Sequence, residues 1–458
     1  MRAVVLLLMP SLGALLSVAL AAEDVYQAPS PEPTAEETLI LELMNRFRAD
    51  PKAEAEYIVK TFGKGDRVFG AEAKMFLDET SALKPMPPLV FNLQLLDAAR
   101  KHSFYMVHNG LGHVEEAGKR GFTGASPGDR TKAAGYPGGA AENAFAGSSG
   151  PLNSHVRFIV DDGPGGPGGM QPGRGHRMNM IGNHREVGPG GVPNGGGLSV
   201  THNLGSRGGN RLAGGVVYVD LNGNGFYDLG EGKSNVTVSA ADGSHVATWQ
   251  SGAYSLELKS GGATALRIEY LGQSQSKQAV ASPDNIGFSW AIPQQVEFDA
   301  ADKLLAAVDK ETDAASPARF KAVVALALTA PSLLIDAPRQ EKVTAAIGDT
   351  GAQLAAAQQA VRSGFADEPA TMKKLLAEHT KTYRGTAAQA WFKEAEMAYN
   401  AGLSVRGYLK QAATLKPAPS AERDLIRQLE GARDAFKVGE FASRVGALLA
   451  QVRGAGKA

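Results

Sequence analysis

The uneven distribution of glycine constrains this chain most. There are 55 glycines in 458 residues, and they concentrate in the first two thirds. Glycine weakens helix interiors and serves turns and close backbone approaches. From about Pro293 the composition changes to Ala, Leu, Lys, Glu and Gln, residues that favour helix. Such a shift marks several domains, and the length allows two or three buried cores. Lys plus Arg and Asp plus Glu both total 47, so charge balance gives no argument for nucleic-acid binding.

The first 21 residues form a targeting pattern. Arg2 supplies a positive start, Val4 to Leu20 is mostly apolar, and Ala19-Leu20-Ala21 suits cleavage by a signal peptidase. No later stretch reaches the ~20 apolar residues of a membrane helix. The expectation is a secreted, periplasmic or cell-envelope protein with no transmembrane span once the signal is removed. Cysteine is absent, so neither a lipoprotein attachment nor a disulfide can contribute. Residues 22–35 form a Pro-rich spacer. Thr34 is placed to cap a helix with Glu37 as its capping-box partner.

Histidine is scarce, with nine in the chain, yet two follow glycine directly, in Gly112-His113 and Gly175-His176. Glu142 lies between them in Ala141-Glu142-Asn143-Ala144-Phe145, on an expected short strand. Imidazoles beside carboxylates suit proton transfer or metal binding. Helical spacing at Leu39, Ile40, Leu43, Met44 and Phe47 marks one buried face, and Asn92 to His108 reads as a second amphipathic helix. His102 and His108 on that helix read as surface or packing residues, not ligands. The Gly-Pro-rich stretch 162–175 excludes regular structure and delivers His176 to the start of a short helix, whose N–H groups favour anions. Residues 198–204 alternate as a strand carrying His202.

These segments, taken in order with Asp129-Arg130, Gly135-Tyr136, His176-Arg177-Asn179 and Glu186-Val187-Gly188, resemble the CAP superfamily: the cysteine-rich secretory, antigen 5 and pathogenesis-related 1 proteins, in the bacterial SCP-like form. The resemblance covers residues 36–206. It implies an α/β/α sandwich with a cleft tetrad of two His and two acids, here His113, Glu142, Asp161 and His176. Ala141 replaces the family's Gly before the first acid. Phe158 stands for a helix Trp, and Asp161 stands for the second acid with a side chain one methylene shorter. By the same alignment Glu186 starts a strand and has a structural role. Two imidazoles with neighbouring acids could also hold Zn²⁺ at His113 and His176.

Residues 207–297 read as a second domain of short alternating strands, a β-sandwich. After the strand Val216–Val219 comes a calcium-loop spacing: Asp220, Asn222, Asn224, Asp228 and Glu231, with Gly225 at the sharp turn and Phe226 giving its carbonyl. This unit resembles the B-repeat-type sandwiches of bacterial adhesins, which implies bound Ca²⁺. Residues 298–458 read as a helical region, with Trp391, Tyr399 and Tyr408 in its core and a protein partner as the expected role. The fold class is therefore multidomain α+β: a CAP-type sandwich, a β-sandwich and an α-helical C-terminal region. The expected function is binding of a small apolar or cell-envelope ligand in the His/acid cleft. The alternative is a peptidase-like hydrolase using the same cleft. No Gly-x-Ser-x-Gly elbow stands beside the histidines, so a hydrolase would need metal-bound or His-activated water.

Overall fold

The computed structural model describes residues 25–259, 261–311, 317–365, 369–384, 388–413 and 419–455. The expected signal segment, residues 1–21, lies outside the described residues. The fold is mixed α and β, and the chain divides once into compact units, between Pro293 and Gln294.

The first unit opens with α1 (Ala35–Ala49) and α2 (Pro51–Phe62). A small meander of β1 (Gly63–Lys64), β2 (Arg67–Val68) and β3 (Ala71–Glu72) leads to α3 (Ala73–Ser81). Then come β4 (Val90–Phe91), α4 (Leu93–Asn109), α5 (Pro127–Ala133), β5 (Ala140–Ser148), α6 (Pro151–Val160), α7 (Gly175–Ile181), β6 (Glu186–Asn194) and β7 (Gly197–Gly205). Thr34 caps α1 as its sequence predicts: its hydroxyl accepts from Glu37 N at 3.2 Å, and Glu37 Oε2 accepts from Thr34 N at 2.8 Å. The segment before it is not a free spacer. Arg100 on α4 donates to the carbonyls of Ser30 and Glu32, and its guanidinium is tied to Glu37 at 2.6 Å.

The main sheet runs β4-β6-β7-β5, with β4 parallel to β6 and the other pairs antiparallel, which leaves β5 at an edge. On one face Val187, Val200 and Leu204 join Ile40, Phe47 and Phe158 in the core. The opposite face takes α4 at very short range. A Cβ on Gly188 would lie 2.0 Å from Leu96 N, and one on Gly190 would lie 2.3 Å from Arg100 N. Strand side chains alternate between faces, so glycine at both positions is what lets the α4 backbone rest on β6.

The same unit continues through β8 (Leu212–Asp220), β9 (Thr237–Ala240), β10 (His245–Ala247), β11 (Ala253–Glu257), β12 (Thr264–Tyr270), β13 (Gln273–Ala279), β14 (Ile286–Gly287) and β15 (Trp290–Pro293). They form two small sheets, one ordered β10-β9-β12-β13 and one ordered β11-β8-β14, with β15 also pairing β8. The strand expected at 216–219 lies within β8, and β9, β11 and β12 are further short strands of the kind the alternation implies. β13 carries no such alternation, because nearly all of its residues are polar and exposed.

Residues 36–206 and 207–293 share one unit, whereas the composition suggests two domains. Thr38 donates to Ser251 in a buried hydrogen bond of 2.8 Å. Asn285 donates to the carbonyls of Pro88 and Arg185. Trp249 packs edge-on against Phe91 at 5.9 Å. Interactions between residues so far apart in sequence leave no trace in local patterning.

The second unit is helical: α8 (Gln294–Asp309), α9 (Pro317–Thr329), α10 (Ala337–Gly364), α11 (Pro369–Thr382), α12 (Ala388–Ala412), α13 (Pro419–Ala435) and α14 (Gly439–Ala455). Prolines 338, 369 and 419 stand in first turns, where the missing N–H costs nothing. Phe392, Tyr399, Val405 and Tyr408 are buried in a core with Phe365, Phe441 and Val445. Trp391 packs on this core and donates to Glu440 at 2.9 Å.

Candidate functional site

Strand β5 positions the site. Glu142 and Asn143 are adjacent, so their side chains leave opposite faces of the sheet. Because β5 is an edge strand, no further strand separates what gathers on its two sides.

On the α4 side, His113 Nδ1 meets Glu142 Oε1 at 2.9 Å. Arg130 of α5 grips the same carboxylate at 2.8 and 2.6 Å, and also donates to His113 O at 3.1 Å. His102 is fully buried, which the sequence left open. One ring nitrogen lies 2.9 Å from Glu115 Oε1 and the other 2.9 Å from Gly112 O. His102 therefore anchors the turn that presents His113, and it approaches Glu142 to 3.5 Å. Burial pushes the Glu142 carboxyl upward, but the His113 hydrogen bond and the charges of His102 and Arg130 hold it below its ordinary range. Glu142 is nearly inaccessible, while about half of the His113 side chain is exposed (52%). The imidazole is the part that faces solvent.

On the other side, His176 Nδ1 lies 2.8 Å from Asp161 Oδ1, and His176 N donates to Asp161 Oδ2 at 3.0 Å. The shorter acid reaches because Asp161 ends α6 in the left-handed region, φ 56°. Its carboxylate thereby takes the backbone N–H expected to be open to anionic ligands. Asn143 donates to His176 O at 3.1 Å, and Asn179 donates to Glu142 O at 3.3 Å and to Asn143 Oδ1 at 2.9 Å. The two His–acid pairs are thus linked through β5 by Asn143 and Asn179. A carboxylate only accepts hydrogen bonds, so Nδ1 of each paired histidine carries a proton. Nε2 remains for a ligand.

Beside His176 lies a cavity of about 170 Å³ lined by Phe145, Arg157, Phe158, Asp162, Gln171 and His176. The Phe158 ring is 5.2 Å from His176 and 4.6 Å from His202. His202, whose face the sequence left undetermined, lies behind Phe158. Both its ring nitrogens lack partners. Burial, with the nearby charges of His155 and His176, pushes it down to about 3, so it is neutral. Within two residues of His113 or His176 in the sequence, three large apolar side chains are exposed: Leu111 at 60%, Val114 at 68% and Met178 at 47%.

Glu186 has the expected structural role. It is buried at the start of β6 and bonded to Asn92, Tyr136 and Arg207. Sequence reasoning named Arg130 and His102 without giving them a part in the site, and it did not single out Glu115. Their only local signal was charged residues near glycine turns, and their partners lie elsewhere in the chain.

The loop after β8 is folded on its own polar groups. Asp220 accepts from the N–H groups of Gly223, Asn224 and Gly225. Glu231 accepts from Leu221 N and Asp228 N. Asn222 Nδ2 and Asn224 Nδ2 both point at Asp228 Oδ2, at 2.7 Å each. Phe226 lies over the Arg46 guanidinium at 4.8 Å. Among the described residues no three His, Cys, Asp or Glu side chains are grouped to hold a metal ion. Nor is any helix among them long and apolar enough to cross a membrane. Comparison with known proteins finds no matching family model, no matching curated relative and no matching solved structure.

Proposed function

We propose that residues 36–206 are a CAP-type α/β/α domain of an exported protein, and that the cleft at β5 binds a small apolar or amphiphilic ligand of the cell envelope. The observation that carries this reading is the pairing of His113 with Glu142 and His176 with Asp161 about one edge strand, with exposed Leu111, Val114 and Met178 close to these histidines in the sequence. Large apolar groups in solvent beside convergent polar groups suit a ligand with an apolar body and a polar head. The imidazoles serve the head, and the exposed apolar side chains near them in sequence serve the body.

Zn²⁺ belongs to this proposal only as an ion that Nε2 of His113 and of His176 would hold, with Glu142 and Asp161 orienting the rings; no larger group of metal-ligating side chains gathers there among the described residues. It would supply a Lewis acid, which the hydrolase alternative requires. The binding reading needs no metal, and nothing in the cleft favours hydrolysis over it.

Residues 207–293 serve as a β-sandwich beside this domain, with Ca²⁺ held by Asp220, Asn222, Asn224, Phe226, Asp228 and Glu231. The two amide N–H groups aimed at Asp228 stand where a cation would satisfy the same carboxylate. The helical unit serves as a partner-binding region.

The test uses the full chain and cis-parinaric acid, a fluorescent fatty acid. Binding should enhance its fluorescence, and Leu111→Ser with Val114→Ser should weaken it by about tenfold, as loss of two apolar contacts implies. No enhancement, or equal binding by the double variant, would overturn the apolar-ligand reading.

A further inference from the structure

A second cavity, of about 280 Å³, lies between α1 and the β8–β14 edge, away from the cleft. Its walls include Glu42, Met86, Pro88, Lys277 and Ser289. Glu42 is the only acid lining it and Lys277 the only base. The Glu42 carboxylate has one polar neighbour, Ser289 Oγ, at the limiting distance of 3.5 Å. Ser289 Oγ itself accepts from Val216 N at 3.0 Å, so its hydroxyl proton is available to Glu42. Among the described residues no cation pairs with Glu42. Burial pushes its carboxyl up to about 7, only slightly offset by Ser289. Lys277 is exposed at the rim, where Nζ donates to the neutral carbonyl of Gly287 at 2.6 Å. It forms no ion pair among the described residues.

Opposite charges that share a cavity without pairing each other describe a receptor for a molecule carrying both. We propose that this cavity binds a small zwitterion, with its ammonium at Glu42 and its carboxylate at Lys277. A lone ammonium would leave Lys277 facing it unpaired, and a lone carboxylate would meet Glu42. A charged guest restores to Glu42 the counter-ion that burial denies it. Met86 and Pro88 supply apolar contact for a short carbon skeleton. The volume of about 280 Å³ is just below the usual range for ligand pockets, which suits an amino acid or an ω-amino acid.

Calorimetry of the full chain tests this with glycine, 4-aminobutyrate and 5-aminopentanoate, against butylamine and butyrate. At least one zwitterion should bind, and the amine and the acid alone should bind about tenfold more weakly or not at all. Glu42→Gln and Lys277→Met should each weaken the zwitterion by about tenfold or more. Gln keeps the shape of Glu42, and Lys277 is exposed, so both variants should fold, as circular dichroism will verify. Absence of binding by every zwitterion at roughly 10 mM would overturn the proposal. So would butylamine binding as tightly as the best zwitterion, or either variant binding like the parent.

Discussion

Asp161→Asn isolates what Asp161 does for His176. Asp161 has no exposed side-chain surface and accepts two hydrogen bonds from His176, at 2.8 Å from Nδ1 and 3.0 Å from the backbone N. Asn occupies the left-handed region tolerably, so the φ of 56° adds little penalty. The Asn oxygen can keep the backbone bond, now to a neutral acceptor, at a loss of about 1 kcal/mol. Its amide nitrogen then faces Nδ1, and two donors cannot pair. The imidazole must move its proton to Nε2 so that Nδ1 can accept, which exchanges a second charge-assisted bond for a neutral one. Together these changes predict destabilisation of about 2 kcal/mol. Urea denaturation gives the stability change, and long-range ¹H–¹⁵N spectra give the tautomer. The parent should show the Nδ1–H form of His176 and the variant the Nε2–H form, with Nε2 no longer able to ligate. A stability change under about 0.5 kcal/mol with an unchanged tautomer would refute the reasoning.

Other perturbations test the frame around the site. Gly190→Ala places a Cβ 2.3 Å from Arg100 N; displacing α4 should cost about 3 kcal/mol or more by urea denaturation, and a loss under 1 would sink the close-contact argument. Glu42→Gln should stabilise at pH 8 and not at pH 4. The folded carboxyl, raised by burial to about 7, penalises the ionised state as pH rises from the ordinary range through 7. The gain should be about 1–3 kcal/mol, discounted for the part of Glu42 that meets solvent; equal effects at both pH values would contradict it. Calcium at roughly ten times a millimolar dissociation constant should raise the melting temperature, and Asp220→Ala should abolish the rise. An unchanged parent would leave that loop a plain turn.

Periodicity and capping chemistry located α1 and α4, and composition marked the helical C-terminal region, because these depend on residues close in sequence. Thr34 and Glu37 close their box locally, and Asn92 caps α4 through Leu95 N and Gln94 N. His113, Glu142, Asp161 and His176 were singled out through a resemblance, and the structure pairs His113 with Glu142 and His176 with Asp161. Legibility failed where the determinant is a distant partner. Arg130 looks like a surface residue of a short helix until Glu142 closes on it. His102 looks like one more helical position until Glu115 and Gly112 bury it. The union of residues 36–206 with 207–293 rests on Thr38–Ser251 and Asn285–Arg185, for which no local pattern exists.

The most direct measurement of the central claim is capture. The full chain and its His113→Ala/His176→Ala variant, each verified as folded, are incubated with envelope extract, and native mass spectrometry identifies what each retains. The account predicts that the parent holds a small amphiphile with one-to-one stoichiometry and that the variant does not. The same molecule held equally by both proteins, or none held by the parent, would contradict it.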